Sequence, residues 1–450
     1  MTFSATGARA ARPHTRGLYM FGMAVDAVGN GMYIPMSLLY FHYVTGLALT
    51  QVGAIATLGA LLALVGNPVS GILVDRFGPR AVVVGGYLLR AVGFAAFPLV
   101  HSGVEMFAVL APVALGEGSY QPAIQSLIAT IAQGGDRDRL IAAQRSIRNA
   151  GLGAGGLIAS GAFALGHDSA FYVVVGANAV SFALAGLSVA LIPVPPARPG
   201  RAGRPTAAER GERRYRAVLR NRPFTALTLA NVPTAFGYLA LSVVLPVYVI
   251  EHLHAPTFIP SLLYALNTVG IAALQVPVSR SIMRRFRRTR SAALGCGIFS
   301  AAFVAFAAAG FAPGRSVVLV GVFAATALFT AGELLQGATA SALVSNAAPE
   351  ESRGRHLAFY QLSWAVPTAA APAVLTSLLA FSATAMWVLL AAGVAASALA
   401  LLALESHLPV GSVWAQPSPN ARSTTWATDE QERETEPSST SPPRRCEKPA

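Results

Sequence analysis

Gly71-Ile72-Leu73-Val74-Asp75-Arg76-Phe77-Gly78-Pro79-Arg80 is the stretch from which the rest of the chain can be read. It follows Pro68-Val69-Ser70, and this run returns as Pro277-Val278-Ser279 with Arg285-Phe286, at a constant offset of 209. A second match lies further on. Gly116-Glu117 through Ala132 to Arg137 and Arg139 aligns without gaps with Gly332-Glu333 through Ala348 to Arg353 and Arg355, at an offset of 216. Alanines match cheaply in this composition. A glutamate inside an apolar block, with Arg-x-Arg beyond its end, does not. The chain is an internal repeat, and such repeats are sought before motifs because they set the architecture. Within the opening stretch, Gly71 and Gly78 permit close helix approach and a tight turn, while Asp75, Arg76 and Arg80 form a compact charge cluster.

Outward from that loop the chain is a series of apolar blocks of roughly 20 residues, the length that crosses a bilayer core of about 30 Å. Of the 450 residues 54% are hydrophobic and 12% charged, with a mean hydropathy of +0.54. A soluble domain carries about 25% charged residues. Twelve spans are expected, at about 18–44, 51–74, 81–100, 104–132, 149–165, 169–193, 224–250, 258–283, 291–311, 316–347, 357–381 and 384–404. The fifth, mostly Gly and Ala, is the weakest. The first is too long for a signal-peptide core and lacks a convincing cleavage site, so it is expected to remain as a spanning helix.

The arginines orient these spans. If both termini are cytoplasmic, 31 of the 33 Lys and Arg residues fall on the inner side, with Arg315 outside and Arg90 within span three. The positive-inside rule asks for this asymmetry, and the expected location is a bacterial inner membrane. The net charge of +13 therefore sits in loops, without the interleaved aromatics a nucleic-acid platform needs. No nucleic-acid partner is expected, and the bilayer itself is the partner. The two cysteines, Cys296 and Cys446, offer neither a disulfide framework nor zinc spacing. No metal or cofactor is expected. The domain reading is a cytoplasmic N-terminus (1–17), a six-helix bundle (18–193), a Pro/Gly/Arg-rich linker (194–223), a second six-helix bundle (224–404) and a disordered Ser/Pro/Glu-rich tail (405–450). A short surface helix is expected near Ala207 to Leu219.

Gly71-x-x-x-Asp75-Arg76-x-Gly78-Pro79-Arg80 resembles the loop signature of the major facilitator superfamily, departing from it at Pro79, where a basic residue is usual. The copy in the second half has Arg284 in place of the acid and lacks the glycines. Pro349-Glu350-x-x-Arg353-Gly354 resembles another loop of that family. The resemblance covers about residues 18 to 404 and implies an all-α membrane protein of two pseudo-symmetric six-helix bundles, monomeric, related as a parallel repeat about the membrane normal. It implies further that spans one, four, seven and ten line a central cavity, and that Gly71, Asp75, Arg76, Gly78 and Arg80 latch span two against span eleven in the outward-open state.

An ionisable residue in mid-span costs on the order of 3 kcal/mol by insertion scales and is a functional candidate for that reason. Asp26 and Asn30 share one face of span one, with Tyr33 nearby; Arg90 falls in span three, Glu117 in span four and Glu333 in span ten. Arg90 and Glu117 lie at similar depth, either as a structural ion pair or as a proton or cation site that the arginine tunes. Asp26 is similar to the first-span acid of several drug/proton antiporters, and the alternative for it is a hydrogen-bonded helix contact. Tyr33, Tyr120, Gln121, Asn231, Tyr238, Gln336, Gln361 and Trp364 are further cavity candidates, each of which, taken singly, suits packing or interhelical hydrogen bonding better than ligand contact. The glycines of span five, from Gly151 to Gly161, resemble an antiporter motif whose usual proline is replaced by Gly156.

These residues lead to a secondary active transporter working by alternating access, with proton-coupled efflux of an amphipathic or drug-like molecule as the leading expectation. Proton-coupled uptake or facilitated transport of a metabolite is the alternative within that class. A transport-inactive sensor or scaffold is the alternative outside it. No nucleophile elbow, histidine cluster or phosphate loop is present to suggest an enzyme or an ATP-driven pump.

Overall fold

The computed structural model describes residues 13–132, 135–165, 169–193, 218–285, 287–349 and 352–414. Within them run long helices α1 (Pro13–Tyr33), α2 (Leu49–Phe77), α3 (Pro79–Ala96), α4 (Gly103–Ile131), α5 (Gly135–Ala164), α6 (Ala170–Ala190), α7 (Arg222–Val243), α8 (Ile259–Arg285), α9 (Arg288–Ala309), α10 (Arg315–Ala347), α11 (Arg353–Phe381) and α12 (Ala383–Leu404). Among the described residues nine helices are long and apolar enough to cross a membrane. Of the three that fall short, α1 carries Asp26 and Asn30, α4 carries Glu117 and Gln121, and α5 opens on a run of arginines. Helix α5 departs furthest. It begins at Gly135 rather than near 149, so Arg137, Arg139, Arg145 and Arg148 are helical rather than loop residues.

Local chemistry sets most of the ends. Gly78 turns the chain between α2 and α3 with φ of +83°, a region that L side chains seldom enter, and Pro79 opens α3 where its missing N–H costs nothing. Ser102 caps α4, accepting from the Glu105 N–H at 3.3 Å, while Glu105 reaches back to the His101 N–H at 2.7 Å. Asn221 caps α7 and Ser382 caps α12 in the same manner. The first expected span is interrupted. Ile34-Pro35-Met36 forms a 3₁₀ turn and the helix resumes at Ser37–Thr45, because a proline removes one hydrogen bond from the ladder. The seventh ends at Val243 and continues as a short turn into a π-helical segment, Tyr248–His252. The described chain also stays helical past residue 405. Glu405–His407 and Val410–Val413 form short turns, and Ser412 and Val413 are buried, so the expected unstructured tail does not begin at 405. The expected helix at 207–219 lies almost wholly outside the described residues.

Packing reproduces the sequence repeat. In the first half α1 packs on α5 and α6, α2 on α4, and α3 on α4 and α6; in the second, α7 packs on α11 and α12, α8 on α10, and α9 on α10 and α12. Adding six to each number in the first set gives the second. The bundles meet through α2 against α11 and α5 against α8, which a two-fold axis along the helices exchanges. Glycine makes the second seam close. A Cβ at Gly156 would stand 3.1 Å from both the Ala265 Cβ and the Ser261 carbonyl of α8, and one at Gly153 would stand 2.9 Å from Val269.

The seam is one-sided. Thr57 accepts from the Ala373 N–H at 3.0 Å, Ser160 donates to the Phe258 carbonyl at 3.1 Å, and Tyr43 donates to Glu251 at 2.5 Å. All three described hydrogen bonds lie toward the ends of the helices opposite the arginine-rich loops. The bundles close against each other at that arginine-poor face and part toward the arginine-rich one.

Candidate functional site

Helices α3 and α4 cross where Gly86 meets Gly116: a Cβ at Gly116 would lie 2.7 Å from the Gly86 carbonyl and 3.1 Å from Cγ of Arg90. That contact delivers the Arg90 side chain to Glu117. One guanidinium nitrogen stands 3.0 Å from Glu117 Oε2 and the other 3.6 Å from Asp26 Oδ1. Asn30 joins the cluster, donating to Asp26 Oδ1 at 3.1 Å and accepting from Arg90 at 3.3 Å. The guanidinium also lies 3.9 Å from the centre of the Phe182 ring, a cation–π contact that strengthens once water is removed. Four residues from spans one, three and four are thus brought into one cluster. Their exposure differs: the Arg90 and Asp26 side chains are 5% and 7% exposed, that of Glu117 50%.

Helix α4 shows where Glu117 points. Gly116 faces α3 and Gly118 faces Ala63 of α2, whereas Glu117, Gln121 and Gln125, one turn apart, are exposed on the remaining face. A polar stripe on an open helix face suits a water-lined cavity and not lipid. Gln125 is absent from the sequence-derived candidates because an isolated amide at a helix end carries no signal until its face is known. Tyr120 instead points inward, 3% exposed, in contact with Tyr87 and Met23. Tyr33 belongs to an aromatic cluster, edge-on to Phe94 at 4.6 Å.

The second half holds a cavity of about 320 Å³ lined by, among others, Tyr238, Gln275, Glu333, Gln336, Tyr360, Gln361 and Trp364. Five of these were candidates from sequence; Gln275 and Tyr360 were not. Glu333 accepts from Asn267 of α8 at 2.9 Å, and Asn267 also reaches Thr330 at 3.1 Å. Tyr238 donates to Gln336 Oε1 at 2.7 Å and stands edge-on to Trp364 with ring centres 5.2 Å apart. Asn231 is not part of this cavity. It is buried and donates to Ser363 at 2.9 Å, tying α7 to α11.

Arg148 is a further residue that sequence reasoning left among the loop charges. It is exposed on α5, the helix that packs against both α1 of its own bundle and α8 of the other. Only the early start of α5 could have revealed it.

The Gly71–Arg80 segment, the end of α2 and the start of α3 about the Gly78 turn, is open. Gly71, Asp75 and Arg76 are exposed and nothing lies within 4 Å of a Cβ built at Gly71. Arg80 donates to the Ile192 carbonyl at the end of α6 at 2.9 Å, and Arg76 covers its neighbour Phe77. Among the described residues no ion pair links Asp75 to α11.

Known proteins resemble this chain in sequence and in fold. Multidrug resistance protein MdtH of Aeromonas salmonicida is 27% identical over 354 residues, covering 76% of this chain and 83% of its own. The protein of the same name from Cronobacter sakazakii is 27% identical over 342 residues, covering 74% and 79%. In structure the chain is similar to the nucleoside transporter NupG, with a TM-score of 0.72 at 11% identity over 87% of this chain and 99% of that one. It is also similar to a peptide transporter POT, with a TM-score of 0.69 at 18% identity over 87% and 94%. These neighbours bear on the fold. The model of the Major Facilitator Superfamily matches residues 19–372, and the chain, with its duplicated bundles and its Gly71–Arg80 loop, belongs to that family.

Proposed function

We propose that this protein is a proton-coupled exporter of amphipathic, drug-like organic molecules, a monomer whose arginine-rich face and both termini lie in the cytoplasm. The curated relatives' shared name, multidrug resistance protein, supports the cargo class and direction. The reading of α1, α4 and α5 as spans beside the nine apolar helices rests on their packing along those helices.

The observation that carries the coupling is the Asp26–Arg90–Glu117 cluster. Two carboxyls face one guanidinium, so the group is charge-balanced when a single proton is bound. In a low-dielectric interior the balanced state is strongly preferred over a net charge. Glu117, half exposed on the open face of α4, is the proton's entry; Asp26, behind Arg90, is the second site. Proton binding then biases which way the two bundles rock about their seam, as an alternating-access cycle requires. The conformation described here is inward-open under this orientation, which accounts for the disengaged Asp75.

The test is flux of lipophilic compounds in inside-out vesicles under an imposed pH gradient, comparing wild type with Asp26→Asn and Glu117→Gln. Gradient-driven accumulation is expected in wild type and at least about tenfold less in either variant, the effect of about 1.4 kcal/mol of lost coupling. Equal flux in all three proteins, or dependence on sodium in place of protons, would remove the proposal and leave the acids structural.

A further inference from the structure

Glu333 occupies the position in the second half that Glu117 occupies in the first, yet its surroundings differ at one decisive place. Helices α9 and α10 cross where Gly295 meets Gly332, and a Cβ at Gly332 would lie 2.9 Å from both the Gly295 carbonyl and Cδ2 of Phe299. Gly295 and Phe299 stand 209 residues after Gly86 and Arg90, the offset of the sequence repeat. The place from which Arg90 reaches Glu117 is therefore taken by Phe299, whose ring packs against Phe329 and Tyr238 with centres 4.3 and 5.1 Å apart. Among the described residues no cation lies within ion-pair distance of Glu333. Its described partner is the Asn267 amide, on one carboxylate oxygen.

The carboxyl opens on the 320 Å³ cavity, whose other walls include Tyr238, Tyr360 and Trp364. An acid without a protein counter-ion, facing a ring-walled space inside a membrane protein, is expensive unless something positive arrives. Aromatic faces and a carboxylate attract the same kind of guest, since both favour positive charge while the rings accept an apolar body. Gln336, already committed through its oxygen to Tyr238, presents an amide and no charge. We infer that this cavity binds a monovalent organic cation with an aromatic or aliphatic body, Glu333 neutralising its charge and Tyr238, Tyr360 and Trp364 enclosing it. The inference deepens the export reading and rests on it for the direction of transport. It divides labour between the halves: the acids of the first, balanced by Arg90, handle the proton, and the acid of the second handles the cargo.

The experiment uses purified full-length protein in lipid nanodiscs and two probes, benzyltrimethylammonium, which is permanently charged, and neopentylbenzene, its uncharged isostere. Binding is measured to wild type, Glu333→Gln, Glu333→Asp and Trp364→Leu, with thermal unfolding as the check on folding. For the cation, Glu333→Gln is expected to weaken binding roughly tenfold and Trp364→Leu several-fold, as desolvated carboxylate and cation–π contacts require. Glu333→Asp is expected to recover most of the loss, and Glu333→Gln to leave the neutral isostere unchanged. Unchanged cation binding in Glu333→Gln overturns the assignment, as does an equal loss for both probes, which would mark a packing role. Vesicle flux separates the two readings. Glu333-dependent cation binding with gradient-independent flux sinks the proton coupling and keeps the pocket. Gradient-driven flux without Glu333-dependent binding sinks the pocket and keeps the coupling.

Discussion

At the helix crossing nearest each glutamate the two halves are built on one plan: a glycine of one helix against a glycine carbonyl of the next, and one turn further a large side chain packed at the crossing. That side chain is Arg90 in the first half and Phe299 in the second, buried to 4% and 1% exposure. The first makes an ion cluster with Asp26, Asn30 and Glu117; the second extends an aromatic stack with Phe303 and Phe329. Duplication has kept the backbone crossing, which only glycine allows, and has let the occupant of the next turn diverge. Close packing is what conserves geometry between the halves, while the chemistry at the end of a side chain is free to change function.

The sharpest way to break this comparison is to give both positions the same residue. Arg90→Leu leaves Asp26, which is buried, and Glu117, which is half exposed, without their cation, and breaking a buried pair such as Arg90–Asp26 from one side costs about 3–5 kcal/mol. Phe299→Leu removes part of a ring from an apolar stack, a large-to-small change costing about 1–2 kcal/mol. Thermal unfolding in one detergent should therefore show the first variant markedly less stable than the second. Adding Glu117→Gln to Arg90→Leu should recover part of the loss, because one of the stranded charges is gone. Equal shifts for the two single variants, or no recovery in the double, would mean that Arg90 is held by its stem and rings and not by the acids.

Much of this was legible beforehand, and what was not has a physical reason. The repeat offsets of 209 and 216 already paired Glu117 with Glu333, and helix length, arginine distribution and the Gly78 turn pointed to the architecture. The offset between Arg90 and Phe299 was equally present in the sequence. It went unread because a phenylalanine in an apolar block carries no sign that it replaces a charge. Asp26 and Arg90 were separate candidates, for their 64 positions of separation say nothing of contact until α1 and α3 are packed about α6. Asn231 is a candidate because an amide in a span is suited both to lining a cavity and to joining two helices; its hydrogen bond to Ser363 joins α7 to α11. Arg148 was hidden by an error of boundary. Hydropathy ends a helix where charges begin, whereas α5 carries its charges out toward solvent for several turns.

A second contrast runs along the seam, between its closed end and its open one. On α2, Thr57 and Asp75 are separated by about 27 Å of helix at 1.5 Å per residue; Thr57 is bonded across to α11 and Asp75 is exposed. Thr57→Val and Tyr43→Phe each remove one hydrogen bond that only the closed arginine-poor face makes, worth about 0.5–1.5 kcal/mol. Each change should raise the outward-open population by a few-fold, seen as faster labelling of single cysteines placed at that face. Unaltered labelling in both variants would show that the glycine-mediated packing of α5 on α8 holds the face shut without them.

Asp75→Asn probes the other end and should give the smallest response in the conformation described. Asp75 is solvated and forms no ion pair among the described residues there, so its neutralisation should change thermal stability by less than about 0.5 kcal/mol, as for other surface substitutions. Its larger effect is expected in the opposite conformation, in which the family resemblance implies that it latches α2 to α11. Losing the latch destabilises only that outward-open state, so labelling at the arginine-poor face should become slower, opposite in sign to the Thr57 and Tyr43 variants. The sign matters more than the size. A change in the same direction as Thr57→Val would place Asp75 among the contacts that favour the inward-open form, and the loop would have to act through Arg80 and the end of α6 instead of through α11.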